Sequence, residues 1–143
     1  MSRGKKAYLQ YGPELTDAIA RLGRLREEMQ AAIDADAEAF NVVMKAYKAS
    51  KESADAAGMI DAALKQATGV PLGVAASAHE IAAIVEKLRP ITNPNMKSDL
   101  TTASALAHAA IAGASANVEI NLESIKDAAF AADVRKRAAV LRQ

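Results

Sequence analysis

Three groups of polar residues stand between apolar segments of this chain, and they are its candidates for chemistry. Asp36 interrupts an apolar stripe, a polar loop runs from Asn93 to Asp99, and Asn117 and Asn121 lie four residues apart. A carboxylate can accept and donate protons, and an amide side chain can hold or orient a polar ligand. Because these groups alternate with apolar helical stretches, they suggest one site assembled between helices.

Asp36 lies within a long helical repeat. A carboxylate on an apolar stripe costs free energy unless it is paired, hydrogen-bonded or protonated. The structural explanation is that the stripe turns toward solvent at this point, or that Asp36 pairs with a Lys or Arg. The functional explanation is that Asp36 transfers protons. The pattern alone does not distinguish the two, because structural ion pairs perturb the pKa of a carboxyl group as readily as catalytic sites do. The apolar positions of the stripe recur at spacings of three and four and are Leu15, Ile19, Leu22, Leu25, Met29, Ile33, Phe40, Val43 and Tyr47.

The loop and the two asparagines also have structural explanations. Ser98 is placed to cap a helix, and Asp99 is placed in its first turn, where negative charge is favoured. Asn117 and Asn121 share one helical face in an otherwise apolar segment, so they need hydrogen-bond partners if they are buried. The sequence has no phosphate-binding Gly loop, no His-rich metal spacing and no Ser-His-Asp pattern, so no metal site is expected.

The composition indicates a single all-α domain over residues 1–143. Apolar residues make up 51% of the chain and aromatic residues only 3%, with alanine prominent among the rest. Alanine is the best helix former and allows helices to pack closely. The net charge of +1 gives no electrostatic case for nucleic acid or an anionic membrane, and there is no cysteine. The amino terminus shows neither a signal peptide nor a membrane span, so a cytoplasmic protein is expected.

The helices are predicted from periodicity and from Gly and Pro positions. Leu15 to Tyr47 should form one helix of unusual length, running from Pro13 to about Ser50 and packing against a later helix, Leu100 to Ala116. That later stretch is small and apolar nearly all round, which predicts that it is buried. The other predicted elements are a helix from Ser53 to Thr68 ended by Gly69, a tight joint at Val70-Pro71-Leu72, a helix to about Arg89, and a last helix from Asp127 to Gln143.

The polar groups coincide with motifs that resemble a known family, the cyclodeaminase domain of formimidoyltransferase-cyclodeaminase together with the related methenyltetrahydrofolate cyclohydrolases. Order and spacing run in register from about Met1 to Phe130. Each motif is weak alone, but the set is specific. The motifs are Gly4-Lys5-Lys6-Ala7-Tyr8, Asp34-Ala-Asp-Ala-Glu-Ala-Phe40, Val70-Pro71-Leu72, Ser98-Asp99-Leu100, and Asn117-Val118-Glu119-Ile120-Asn121-Leu122.

The resemblance implies ring closure or opening on a tetrahydrofolate derivative, without a metal or a separate cofactor. In the deaminase reaction a folate nitrogen attacks a formimino carbon and ammonia leaves; in the cyclohydrolase reaction water interconverts the methenyl and formyl forms. Both reactions move a proton to or from nitrogen. The implied catalytic residues are Asp36, as general acid/base, and Asp99, as a charge partner or second proton relay. The implied substrate-binding residues are Asn93, Ser98, Asn117 and Asn121, with Lys5, Lys6 and Lys51 for the folate glutamates.

Three departures from the family pattern bear on activity. The Pro-Thr-Pro-Gly-Gly-Gly-Ser turn and alanine-rich helix that precede Gly4-Lys5-Lys6 in the family have no counterpart here, which predicts either a chain truncated at its amino terminus or the loss of an anion-binding turn. The family's Leu-Pro-Lys is Ala49-Ser50-Lys51, and its Gly-Asn is Thr92-Asn93. The competing interpretation is a non-catalytic helical-bundle interaction protein. The resemblance and the length of the apolar stripe also imply a homodimer with two-fold symmetry.

Overall fold

The described residues form four α-helices. The computed structural model describes residues 2–49 and 55–143, and no strand occurs among them. The prediction of an all-α domain is therefore confirmed. The helices are α1 (Gly12–Ala49), α2 (Ala56–Leu88), α3 (Lys97–Glu123) and α4 (Ala128–Leu141), with short 3₁₀ helices at Lys6–Tyr11, Arg89–Ile91 and Pro94–Met96.

Helix α1 is the long helix that the apolar repeat predicts. It has 38 residues and includes the whole stretch from Leu15 to Tyr47. Pro13 lies in its first turn, where the missing backbone N–H is not needed. Its side toward α2 buries Leu15 and Leu25, and the guanidinium of Arg21 donates hydrogen bonds to the Glu80 carboxylate of α2. The repeat predicts the element well because the stretch contains no proline and a single glycine, Gly23.

The predicted break at Gly69 and Pro71 is wrong, since α2 runs through both residues. An interior proline removes one hydrogen bond and crowds the carbonyl four residues earlier, which costs about 3 kcal/mol. Burial of side chains on both sides of Pro71 offsets that cost, since Leu64, Thr68 and Leu72 are all buried. Tertiary packing therefore outweighs the local signal.

Helix α2 is the central element. It packs along α1 on one side and along α3 on the other, and α1 packs mainly on α2. The prediction that α1 packs against the Leu100–Ala116 stretch is therefore wrong, because the main packing partner of α1 is α2. By length and composition alone the segment Ala57–Ile91, which contains an 18-residue window of mean hydropathy 1.3, would also suit a membrane span. Its place between two helices accounts for that apolar character.

Helix α3 buries one face rather than its whole circumference. Leu106 is 66% exposed, whereas Leu100, Ala107 and Ile111 are buried. The prediction that α3 is buried nearly all round is wrong. Alanine occurs on exposed as well as buried helix faces, so an alanine-rich sequence does not show which face is buried. The main core lies where α2, α3 and α4 meet, and its buried residues are Leu64, Leu72, Val118, Leu122, Ile125, Ala131, Val134 and Ala138.

A lysine ties α2 to the start of α4. Lys65 Nζ lies 2.9 Å from Asp61 Oδ2 and 2.8 Å from Asp127 Oδ2, and 5.5 Å from the centre of the Phe130 ring. Asp127 also caps α4 by accepting a hydrogen bond from the Phe130 N–H at 3.0 Å. The hydrogen bond from Lys65 is the main cause that holds the pKa of both carboxyl groups below their ordinary value of 3.8.

We expect Lys65→Gln to reduce the stability of the fold at neutral pH and to matter less in acid. Both carboxyl pKa values are depressed in the folded chain, so their contribution is present above the ordinary value of 3.8 and is lost as pH falls through the depressed values. Urea unfolding across a pH series measures the difference between wild type and variant. Lys136→Gln, the same charge change at an exposed residue of α4, is the control. A difference that stays constant down to the acid end would contradict this expectation.

Candidate active site

A groove between α1, α2 and α3 brings two of the predicted site residues together. Asp36 of α1 and Asn117 of α3 both line it, and its volume is about 390 Å³. Pro71 of α2 also lines it. The α3 wall consists of small residues, which leaves room between the helices for a ligand. The full lining is Met29, Ala32, Ile33, Asp36, Val70, Pro71, Val74, Ala110, Gly113, Ala114 and Asn117.

Asp36 is solvent-exposed in the single chain. Its stripe neighbours Ile33 and Phe40 are 71% and 63% exposed. Within residues 2–49 and 55–143, no ion pair or hydrogen bond engages the Asp36 carboxylate. The structural explanation by pairing with a Lys or Arg is therefore not met, and the stripe turns toward solvent here. The carboxylate remains available to a ligand in the groove.

The two asparagines occupy successive turns of α3 but have different surroundings. Asn117 is exposed and lines the groove. Asn121 is half-buried one turn further on, and its backbone carbonyl accepts a hydrogen bond from the Ser124 N–H at 3.2 Å, where α3 ends. Asn117 is thus the amide that the fold places with Asp36.

A second group of predicted residues lies at the other end of α3. Asn93 Oδ1 accepts a hydrogen bond from the Asn95 N–H at 3.0 Å, and the Asn93 N–H donates to Ser2 Oγ at 2.8 Å. Ser2 is only 4% exposed, so the amino-terminal segment is anchored on this loop. A groove of about 360 Å³ opens here, lined by Arg89, Pro90, Thr92, Asn93, Pro94, Lys97 and Leu100.

The amino-terminal lysines lie near this second group, because Ser2 links their segment to Asn93. The Lys5 N–H donates to the Ser2 carbonyl at 3.1 Å, and both Lys5 and Lys6 are exposed. They therefore lie at the same end of the molecule as the Asn93 loop. Lys51 falls outside the described residues.

Asp99 is in the first turn of α3, as predicted, but Ser98 is not the N-cap. The N-cap is Met96, which makes no side-chain capping bond, and α3 begins at Lys97. The 3₁₀ helix Pro94–Met96 leads directly into α3, so the side-chain cap is made earlier, by Asn93. Ser98 is consequently an exposed residue within the first turn.

The two groups are too far apart to contact the same reacting atoms in a single chain. Asp99 and Asn117 are eighteen residues apart on the same helix, which at 1.5 Å per residue separates them by about 27 Å. Within one chain, Asp99 therefore cannot act on the same atom as Asp36. Sequence analysis also missed two cations of the second groove, Arg89 and Lys97; their positions on either side of the polar loop were the available signal.

Comparisons with known proteins found a matching family and several similar chains. The family model for formiminotransferase-cyclodeaminase matches residues 1–140. The chain is 35% identical over 132 residues to a methenyltetrahydrofolate cyclohydrolase of Methylorubrum extorquens, covering 90% of this chain and 64% of that protein. It is 29% identical over 147 residues to the formimidoyltransferase-cyclodeaminase of Sus scrofa, covering all of this chain and 27% of that protein.

A solved structure matches the whole fold. The crystal structure of formiminotetrahydrofolate cyclodeaminase from Thermotoga maritima superposes with a TM-score of 0.90 at 33% identity, over 98% of this chain and 68% of that one. The chain thus spans less than two thirds of the length of the curated relatives described above. The family match over residues 1–140 and the shared fold lead to one conclusion: this chain belongs to the formiminotransferase-cyclodeaminase family.

Proposed function

We propose that this protein catalyses ring closure or opening on a tetrahydrofolate derivative in one-carbon metabolism, as a cyclodeaminase or a methenyltetrahydrofolate cyclohydrolase. The observation that carries the proposal is the groove in which Asp36 and Asn117 face a common space between three helices. Relatives with those two named activities support it. The substrate is the tetrahydrofolate derivative itself, no further cofactor takes part, and the reaction takes place in the cytoplasm.

Asp36 acts as the general acid/base in this proposal. The reaction requires a proton at a folate nitrogen, and a carboxylate without a competing ion pair can supply or accept it. Asn117 stands across the groove with one amide donor group and one acceptor, which suits the polar edge of a pterin ring. The apolar lining from Ile33, Val70 and Pro71 provides a surface for the ring face.

The second groove suits the anionic end of a folate. Arg89 and Lys97 line it, and Lys5 and Lys6 lie at the same end of the molecule. Ammonium and guanidinium groups are appropriate partners for glutamate carboxylates. A folate that carries several glutamates has the length to lie along α3, with its pterin near Asp36 and its tail near these cations. The proposal therefore includes polyglutamylated folate as the preferred form of the substrate.

The near-ultraviolet absorbance of methenyltetrahydrofolate provides the test. Formimino- and methenyltetrahydrofolate are offered separately to this chain, and to a chain extended with the amino-terminal segment of a relative. Ammonia release coupled to the appearance of methenyltetrahydrofolate identifies a cyclodeaminase, and loss of methenyltetrahydrofolate identifies a cyclohydrolase. Absence of turnover of both substrates by both chains would reject the enzyme and favour the interaction protein, for which the exposure of Ile33 and Phe40 is the supporting observation.

We also expect the protein to be a homodimer in solution. Much of the α1 stripe is uncovered in the single chain, and large exposed apolar patches mark interaction sites. A closed pair with two-fold symmetry is the commonest way to cover such a patch. Light scattering at micromolar concentration should give twice the mass of the chain. A monomer mass would contradict the expectation.

A further inference from the structure

The middle of α2 contains a backbone carbonyl whose helical partner is missing. In an α-helix the Ala67 carbonyl accepts a hydrogen bond from the N–H four residues later, but that residue is Pro71, which has no N–H. Because α2 continues through the proline, the neighbouring N–H groups stay bonded to their own carbonyls four residues earlier. Within residues 2–49 and 55–143, no side chain and no backbone group of another element donates to the Ala67 carbonyl. It is therefore an acceptor without a partner in the described part of the chain.

This carbonyl lies on the side of α2 that faces the groove of Asp36. Val70, Pro71 and Val74 line that groove. Ala67 precedes them by three, four and seven residues, which places it on the same helical face, one turn before the proline. Its carbonyl is directed along the helix toward Pro71, and the proline ring crowds it away from the helix axis. The free acceptor therefore lies beside the proline ring at the groove.

A carbonyl in such a place needs a hydrogen-bond donor. Ala67 is only 8% exposed, and an unpaired polar group in apolar surroundings costs free energy. The adjacent Thr68 hydroxyl does not serve, because it donates to the Leu64 carbonyl at 2.7 Å. The donor must therefore come from outside the chain, as water in an empty groove and as a ligand group in an occupied one.

We propose that the Ala67 carbonyl is a ligand-binding acceptor of this groove, and that it accepts a hydrogen bond from a bound pterin. The choice of a pterin rests on the proposed function. The polar edge of a pterin carries two kinds of donor, an amino group and a ring N–H. Among the lining side chains Asp36 serves the reacting nitrogen, and the Asn117 amide offers one acceptor oxygen beside its donor group. The remaining pterin donor therefore pairs with the backbone carbonyl.

This role gives Val70-Pro71-Leu72 a function that its place inside a helix does not explain. Proline is the one standard residue without a backbone N–H, so any other residue at this position would close the acceptor. The interior proline destabilises the helix locally and leaves the carbonyl free for a ligand. A buried acceptor also discriminates against a ring that presents no donor, because the carbonyl would then remain unpaired. Pro71 thus acts on binding through the Ala67 carbonyl.

Pro71→Ala tests this assignment, because alanine restores the N–H that pairs with the Ala67 carbonyl. We expect the variant to melt at a higher temperature, since α2 gains a hydrogen bond and loses the crowding by the ring. It should bind the stable probe 5-formyltetrahydrofolate about 3–10-fold more weakly, the usual contribution of one hydrogen bond. Titration calorimetry measures the dissociation constant. Pro13→Ala, at an exposed proline in the first turn of α1, is the control and should leave binding unchanged.

A second variant separates the carbonyl from the shape of the proline ring. Replacing Pro71 by lactic acid, the α-hydroxy analogue of alanine, gives the alanine side chain without an N–H. This chain should bind the probe as tightly as the wild type, whereas Pro71→Ala should not. Equal binding by wild type and Pro71→Ala would overturn the proposal, as would equal weakening in both variants or a wild type that binds no probe. The expected binding pattern without turnover of formimino- or methenyltetrahydrofolate would reject only the proposed function.

Discussion

Asp36→Asn lowers turnover of formimino- or methenyltetrahydrofolate by about 10²–10⁴-fold, the usual contribution of a general acid/base. Asparagine keeps the shape of the side chain but can neither accept nor deliver the proton. The carboxylate has no ion-pair partner among the described residues, so its loss removes no stabilising contact. Thermal stability should therefore hold or rise, and the fall should be confined to the reaction rate. The absorbance assay and a thermal melt measure the two effects on one preparation.

The comparison is made on whichever chain turns over substrate in the absorbance assay, beside a matched control. Asp17→Asn removes the same charge from an exposed position of α1, away from the groove, and should leave turnover within a small factor of wild type. Full activity of Asp36→Asn would show that another group moves the proton, even if the family assignment stood. A parallel loss of stability and activity would instead indicate that Asp36 supports the fold.

Leu25→Ala is the substitution from which we expect the largest loss of stability. Leu25 is 0% exposed and lies on the buried side of α1 toward α2. Removing a fully buried leucine side chain loses its transfer free energy and leaves a cavity, which together cost about 2–5 kcal/mol. Urea unfolding followed by circular dichroism measures the change.

The same substitution at an exposed leucine provides the control. Leu106→Ala on α3, where the side chain is 66% exposed, should change the free energy of unfolding by about 0.5 kcal/mol or less. Similar losses at Leu25 and Leu106 would mean that α1 is not packed on α2 as described. Because α1 holds Asp36, loss of Leu25 should also broaden the groove and weaken substrate binding.

The elements that sequence predicts best are those that a local pattern determines. The repeat from Leu15 to Tyr47 predicts α1, and the position of Asp99 after a polar loop predicts its place in the first turn of α3. Continuity of α2 could not be predicted in this way. Gly69 and Pro71 favour a break locally, and only the burial contributed by two neighbouring helices shows why the helix continues.

The sequence predicts which polar residues are candidates for the site, but it does not predict which of them lie in the same groove. Asp36 and Asn117 stand out as polar residues in apolar helices, and the fold places them in one groove. Asp99 stands out for the same reason, yet the length of α3 carries it about 27 Å away from Asn117. Sequence spacing can show that residues share a helix face. The distance between Asp99 and Asn117 can be calculated only once α3 is known to be one continuous helix.

Pro71 has a further consequence for the mechanics of the molecule. It has no N–H, so the backbone hydrogen bond to the Ala67 carbonyl is missing at the middle of α2. One turn earlier, the Thr68 hydroxyl donates to the Leu64 carbonyl at 2.7 Å, a side-chain bond that also favours bending. The middle of α2 therefore has one backbone hydrogen bond fewer than the rest of the helix, which lowers the free-energy cost of bending there.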